Sequence, residues 1–408
     1  MPQTSPTMPQ KNWTVVVFGF LALSLAFSGR AALGLIMPVW QTEFGWSSSY
    51  VSSVGAAALV IMAIVAPFAG RLVDRRGPQF TLNLGMGLLG VGCAIVALMN
   101  GKLMLMIGFA GFCAVGFGIV ATHVVATAVT CSFSVHQGLA TGIGTSGATG
   151  GQFLIVPLIA ALLAFASWRW SFGALSVASF ALIPCIRMSL RANTPPEHET
   201  AAEDAPTSIW HDLKIILRRP AFHLLFWSFL ICGFTTTGVI ETHLLPFAAF
   251  CGFPPLPSAT AYGLLSLVNL IGMIAAGWLT DRVDRPLLLA VIYMLRALTF
   301  VLLGSIPGTS IDMLFLFAIL FGAVDYATVP VTASLVASHV GIKMMGLAMG
   351  LISAGHAIGG AMGAYAGGYV FTATQTYSLV WTGSVWLAIG AGVLALFLRA
   401  VSLRGAPA

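Results

Sequence analysis

The sequence predicts an all-α membrane protein in which twelve transmembrane helices form two pseudo-symmetric six-helix bundles. Three observations predict it: a composition that no water-soluble fold could hide, a succession of apolar stretches long enough to cross a bilayer, and a repeat relating the two halves. Of the 408 residues, 58% are hydrophobic and 7% charged, with a mean hydropathy of +0.96; a soluble domain carries roughly a quarter charged residues. A hydrocarbon core of about 30 Å needs about 20 apolar residues in a helix. Trp13 to Val39, Ala56 to Gly70, Leu103 to Thr130 and Met345 to Val370 are stretches of this kind. Helices are expected because lipid offers no hydrogen-bond partner to an open strand edge or loop.

Hydropathy and turn signals place the helices over 13–39, 49–70, 79–99, 103–130, 138–165, 169–187, 221–249, 258–280, 286–306, 311–337, 344–370 and 376–399. The first follows a polar segment, Met1 to Asn12, and is too long for the apolar core of a signal peptide, so it is expected to stay as an uncleaved span. With the N-terminus inside, Lys11, Arg71, Arg75, Arg76, Arg187, Arg191, Lys214, Arg218, Arg219, Arg282, Arg285, Lys343, Arg399 and Arg404 face the cytoplasm, while Lys102 and Arg169 fall in outer loops. By the positive-inside rule this predicts a multi-pass protein of the cell inner membrane with both termini cytoplasmic. It also accounts for the net charge of +6 without any nucleic acid, leaving the lipid bilayer as the expected partner of a monomer. Cys93, Cys113, Cys131, Cys185, Cys232 and Cys251 are scattered and form no CxxC pair or His/Cys cluster, so neither a disulfide framework nor a metal site nor a cofactor is expected.

The sixth and seventh helices are separated by an abrupt change of composition. Arg191 to Arg219 holds Thr194, Pro195, Pro196, Glu197, His198, Glu199, Glu203 and Asp204, then a short amphipathic run from Trp210. The expected organisation is a first bundle over 1–190, a cytoplasmic linker over 191–220 lying partly on the membrane surface, and a second bundle over 221–408. Gly70-Arg71-Leu72-Val73-Asp74-Arg75, after the second helix, answers to Gly277-Trp278-Leu279-Thr280-Asp281-Arg282, after the eighth. Gly138-Leu139-Ala140-Thr141-Gly142 answers to Gly346-Leu347-Ala348-Met349-Gly350 at nearly the same shift, about 207 positions. A parallel repeat of this kind puts a substrate site near the midplane between the halves.

Gly70, Asp74, Arg75 and Gly77 resemble the G-x-x-x-D-R-x-G signature of the major facilitator superfamily, with Asp281 and Arg282 as the second-half counterparts. The resemblance implies the major facilitator fold and a gate in which a carboxylate and a guanidinium pair with a neighbouring helix end. Pro78 and Gln79 stand where the family usually has a basic pair. Within the superfamily the chain is most similar to the monocarboxylate and oxalate/formate transporter branch. That similarity rests on Phe27-Ser28-Gly29-Arg30 in the first helix, Glu43-Phe44-Gly45-Trp46-Ser47 opening the second, and Gly138 to Ile143 opening the fifth. The eighth helix offers Ser266 and Asn269 where members of that branch often carry an arginine. The glycine-proline signature of drug/proton antiporters is absent from Gly147 to Gly151.

Four ionisable groups fall within apolar helices, where each costs at least ~2.5 kcal/mol and needs a partner, water or a task. Arg30 is the candidate for the anionic group of a substrate, since a guanidinium presents a planar fork that fits a carboxylate; a structural pairing with Glu241 is the alternative. Glu241 and His243 are candidate proton carriers, or are solvated near the outer surface. Arg296 and Asp325, at similar depth on consecutive helices, read as a structural ion pair, with proton coupling through Asp325 as the second reading. His123, Asn269 and His356 are the further polar residues expected to share the substrate with Arg30. Gly142, Gly147 and Gly151, like Gly355, Gly359 and Gly363, fit close helix packing.

Together these predict a secondary transporter of a small organic anion, a monocarboxylate, moved by alternating access with protons. Export of amphipathic drugs or metabolites is the alternative within transport, because 27 Phe could furnish an aromatic cavity. A receptor would need a soluble signalling domain, and the longest polar segment is too short for one. No nucleophile/base pair or metal-ligand cluster points to an enzyme.

Overall fold

The computed structural model describes residues 13–190 and 208–404, and every regular element among them is helical. The polar segments 1–12 and 191–207, with Lys11, Arg191 and the proline and acidic residues of the linker, lie outside the described residues.

Eleven helical stretches among these residues are long and apolar enough to cross a membrane. One of them, Ser48–Ala97, has 50 residues, which at ~1.5 Å per residue is more than twice the thickness of a hydrocarbon core. It is broken at Gly77, where φ is 75° and ψ 172°, a conformation open to glycine alone, and Pro78 then starts the next helix. The stretch is therefore two spans, and the total is twelve: α1 (Trp13–Phe44), α2 (48–76), α3 (78–97), α4 (Lys102–Ser132), α5 (Gln137–Leu163), α6 (Trp168–Leu190), α7 (Pro220–Phe250), α8 (Pro255–Thr280), α9 (Arg285–Gly304), α10 (Asp312–His339), α11 (Met345–Thr374) and α12 (Ser378–Arg404). A short helix over Ile209–Leu217 precedes α7.

Two boundaries differ from those expected. Glu43 and Phe44 close α1 instead of opening α2; Gly45 turns the chain with φ +64°, and Ser47 caps α2 by accepting the Tyr50 N–H at 3.2 Å. Gly70 to Arg76 continue α2 as helix rather than forming a loop, because nothing breaks the helix before Gly77.

One buried core is drawn from α1 to α6 and includes Trp40, Phe117, Trp168 and Phe172. Two more are drawn almost wholly from α7 to α12 and the short helix before them, around Tyr293 and Leu347 and around Phe300 and Phe321. Small residues set the helix spacing in the same way in each half. A Cβ at Gly147 or Gly151 of α5 would run into the α1 backbone at Phe20 and Ser24, and one at Gly359 or Gly363 of α11 into the α7 backbone at Leu230 and Phe234. The Ser24 hydroxyl secures the first contact by donating to the Gly147 carbonyl at 3.0 Å.

Two spans are interrupted at equivalent depth. In α4 the helix breaks at Val120 and Ala121. In α10 it breaks over Asp325 to Ala327, four residues before Pro330, whose ring lacks the N–H that would bind the Tyr326 carbonyl. Non-helical backbone at membrane depth is tolerated only where protein groups satisfy it, and side chains do so in α10.

Candidate substrate site and gate

A cavity of about 260 Å³ lies within the first half, walled by Leu33, Ala58, Met62, Phe109 and Phe117 among others, with Arg30 and Gln152 as its polar groups. The Arg30 guanidinium sits over the Phe27 ring, 4.8 Å from its centroid. Among the described residues no carboxylate lies within ion-pair distance of it. A partly buried cation facing a small chamber with mostly apolar walls can bind a monoanion whose remaining surface is apolar.

Glu241 stands on α7 directly after a run of π-helical turns, Phe234–Ile240, a distortion common at functional sites. Its carboxylate is exposed and accepts the Tyr326 hydroxyl at 2.8 Å. Tyr326 belongs to the α10 break, so its bond to Glu241 joins α7 to α10, and Arg30 of the other half lies within electrostatic reach of it; neither Tyr326 nor Glu241 walls the Arg30 cavity.

The break itself is held by a buried network. Arg296 is 0% exposed and Asp325 3%. Arg296 Nη2 donates to the Val324 carbonyl at 3.0 Å and to the Asp325 carbonyl, which caps the negative end of the first α10 segment. Its Nη1 reaches Cys232 Sγ at 3.0 Å and Thr236 Oγ1 at 3.2 Å. The Asp325 carboxylate lies farther off, with Oδ1 at 3.8 Å from Nη2; it accepts from Thr236 Oγ1 at 2.7 Å and from Asn269 Nδ2 at 3.3 Å. Asn269 Oδ1 accepts the Tyr326 N–H at 3.1 Å. The ion pair read from sequence is thus first a cap on broken backbone and only second a contact between charges.

Three residues expected beside Arg30 are engaged elsewhere. Asn269 is committed to the α10 break. His123, on α4, bonds through Nε2 to the Ala66 carbonyl of α2 at 3.1 Å, and His356 lies against Phe229, ring centroids 5.0 Å apart, and reaches the Cys232 thiol. None of the three walls the Arg30 cavity. His243, expected to accompany Glu241, turns away: its Nε2 meets the Ala364 carbonyl of α11 at 2.9 Å. Tyr326 and Gln152 stood in the sequence as polar residues on apolar helices without an assigned task, and Pro330 was the signal for the break.

The motif residues gather at one end of the bundle and close it. Asp74 accepts the N–H groups of Gly346 and Leu347, at 2.7 and 2.9 Å, where α11 begins. Asp281 does the same for Gly138 and Leu139, at 2.7 and 2.9 Å, where α5 begins. Each carboxylate spans two orphan donors at the positive end of a helix of the opposite half. Gly70 and Gly346, and Gly138 and Gly277, allow this: a Cβ at any of them would collide with the facing backbone. Arg71 of α2 adds an ion pair to Asp212 of the short linker helix at 2.7 Å. Arg75 is exposed, and Arg282 lies over the Trp278 ring at 3.9 Å.

A sequence profile described as Major Facilitator Superfamily matches residues 19–324. The chain is 26% identical over 387 residues to an uncharacterised transporter of that type, YcxA of Bacillus subtilis, covering 92% of each protein. It is 25% identical to monocarboxylate transporter 13 of Rattus norvegicus, covering 96% of this chain and 90% of that one. Among solved structures, the fucose:proton symporter FucP of E. coli superposes with a TM-score of 0.74 at 16% identity, covering 94% of this chain and 99% of that one.

Proposed function

The chain belongs to the major facilitator superfamily, a family of membrane transporters and not of enzymes, and from that premise we propose that it moves a small monocarboxylate together with protons. The observation that carries this is Arg30: a cation at the wall of a small apolar cavity, with no carboxylate partner among the described residues. A charge on an apolar membrane-spanning helix is costly unless water or an anion meets it. The similarity to monocarboxylate transporter 13 is in keeping with it.

In this cycle Arg30 takes the carboxylate, the apolar walls take the body of the solute, and Glu241, exposed on the same interior, takes the proton. Asp74 and Asp281 hold one end shut while the solute enters from the other, and their release opens the opposite path. Arg71, Arg75, Arg76, Arg282 and Lys343 lie toward the closed end, with Lys102 and Arg169 toward the other, so the closed end faces the cytoplasm of a cell inner membrane. The test is uptake of radiolabelled monocarboxylates into proteoliposomes under an inward proton gradient. Uptake is expected to require the gradient and to fall at least tenfold in Arg30→Ala, the loss of one charge-assisted pairing. Undiminished affinity in Arg30→Ala would remove the assignment.

A further inference from the structure

We infer that the Tyr326 hydroxyl is the switch that ties the proton to the anion. The inference rests on the assignment of Arg30 and Glu241 above and adds the residue that makes their two ligands cooperate. Tyr326 is the one described side chain that both donates to Glu241, at 2.8 Å, and lies within electrostatic reach of Arg30. A phenol has a single proton to donate, so it serves one strong acceptor at a time.

With Glu241 ionised, the hydroxyl is held by a charge-assisted bond, about twice as strong as a neutral one. When Glu241 takes a proton from water it becomes a weaker, neutral acceptor. The substrate carboxylate held by Arg30 is then the stronger acceptor, and the hydroxyl turns to it. Tyr326 keeps its own proton throughout; the proton gained stays on Glu241 and leaves with the solute. Protonation therefore tightens anion binding, and by reciprocity the bound anion favours the proton, which is the condition for symport.

The surroundings isolate this exchange. The groups within electrostatic reach of Glu241 are Tyr262 on α8 and Asp325 and Tyr326 on α10, and Arg30 on α1 is within reach of Tyr326. Asp325 is occupied by Thr236, Asn269 and Arg296. His243, on α7, is bonded to Ala364 of α11 and stacks near Tyr377, ring centroids 5.8 Å apart, before α12. His356 of α11 faces Phe229 and Cys232. The Asn269 carbonyl fixes the Tyr326 backbone at 3.1 Å, so removing the hydroxyl leaves the α10 break in place.

The test is calorimetric binding of lactate, benzoate and 3-phenylpropanoate to the purified full chain at neutral pH, with Glu241→Gln standing for the protonated carboxyl. Glu241→Gln is expected to bind more tightly than wild type. Tyr326→Phe is expected to cost little in the wild-type background and about tenfold in the Glu241→Gln background, one charge-assisted bond. Equal losses in the two backgrounds, or no loss in Glu241→Gln, would overturn the switch while leaving Arg30 in place. Binding that is indifferent to Arg30→Ala, or none by wild type, would instead overturn the anion assignment and the switch with it.

Discussion

Replacing Asp74 by Asn tests the closed end most directly, because the side chain keeps its shape and loses its charge. The carboxylate accepts two backbone N–H groups at 2.7 and 2.9 Å. Each is a hydrogen bond to a charged group, worth about 1.5 to 3 kcal/mol, against about 1 kcal/mol for a neutral one. An amide offers one oxygen; its NH2 would face the second N–H as donor against donor. The change also forfeits the attraction between a carboxylate and a helix N-terminus, about 0.3 to 1 kcal/mol. The closed end should lose about 2 to 4 kcal/mol relative to the open one, or one to three orders of magnitude in their ratio at about 1.4 kcal/mol per decade. Spin labels at Arg76→Cys and Ile342→Cys, in a chain lacking Cys131, Cys185 and Cys251, would report the separation by pulsed electron resonance. A narrow short distance is expected in the parent and an added long population in Asp74→Asn. Asp281 makes the same two contacts at the same distances, so Asp281→Asn should open the end to a similar degree. An unchanged distribution in both, with thermal stability retained, would refute the clamp, and opening in only one would refute the equivalence.

Arg296→Met should cost about 3 to 5 kcal/mol of stability, since it strands the Asp325 carboxylate and two backbone carbonyls; denaturation of the purified protein reads it. Adding Asp325→Asn should restore only part of that loss, because the Val324 and Asp325 carbonyls stay uncapped, and full restoration would mean that the ion pair alone mattered. Gly77→Ala should cost about 1 to 3 kcal/mol through backbone strain alone, because no heavy atom lies within 4 Å of the added Cβ; a neutral effect on thermal stability would show that the α2–α3 elbow adopts another conformation.

The architecture was legible because its causes are local or periodic. Apolar length sets a span, and two short matches at one offset set the repeat. Asp74 and Asp281 could be singled out, since the motif that carries them recurs in both halves and resembles a family signature, but their geometry could not: the motif read as a loop and is helix as far as Gly77. The site was legible in part. Arg30 could be singled out because a cation among apolar residues is conspicuous. His123, Asn269 and His356 read as sharing the substrate and His243 as carrying the proton, yet each lies against a group that sequence cannot bring near it: the Ala66 carbonyl for His123, the α10 break for Asn269, the Phe229 ring for His356 and the Ala364 carbonyl for His243. Arg296 was read as half of a charge pair because the backbone carbonyls it caps do not announce themselves; the hint was Pro330, four residues past Tyr326. The Arg71 contact with Asp212 joins a motif residue to the linker, and no periodicity connects them.

The two clamps also bound what the solute must accomplish. Moving an equilibrium from 1:99 to 99:1 takes about 5.5 kcal/mol of differential binding, while four charge-assisted hydrogen bonds released together represent about 6 kcal/mol or more. One small anion and one proton cannot supply all of that, so most must come back as water satisfies the freed N–H groups and carboxylates and as new contacts form at the other end. The glycine surfaces suit such an exchange. Gly70 against Gly346 and Gly138 against Gly277 carry no side chains to unlock, so parting them exposes little apolar area and the transition is governed by the polar clamps. Among the described residues the ion pair of Arg71 and Asp212 has no counterpart built on the equivalent position of the second half, where Trp278 stands in place of Arg71. This ion pair is therefore a term that can tilt the closure, and it couples that tilt to the segment joining the two halves.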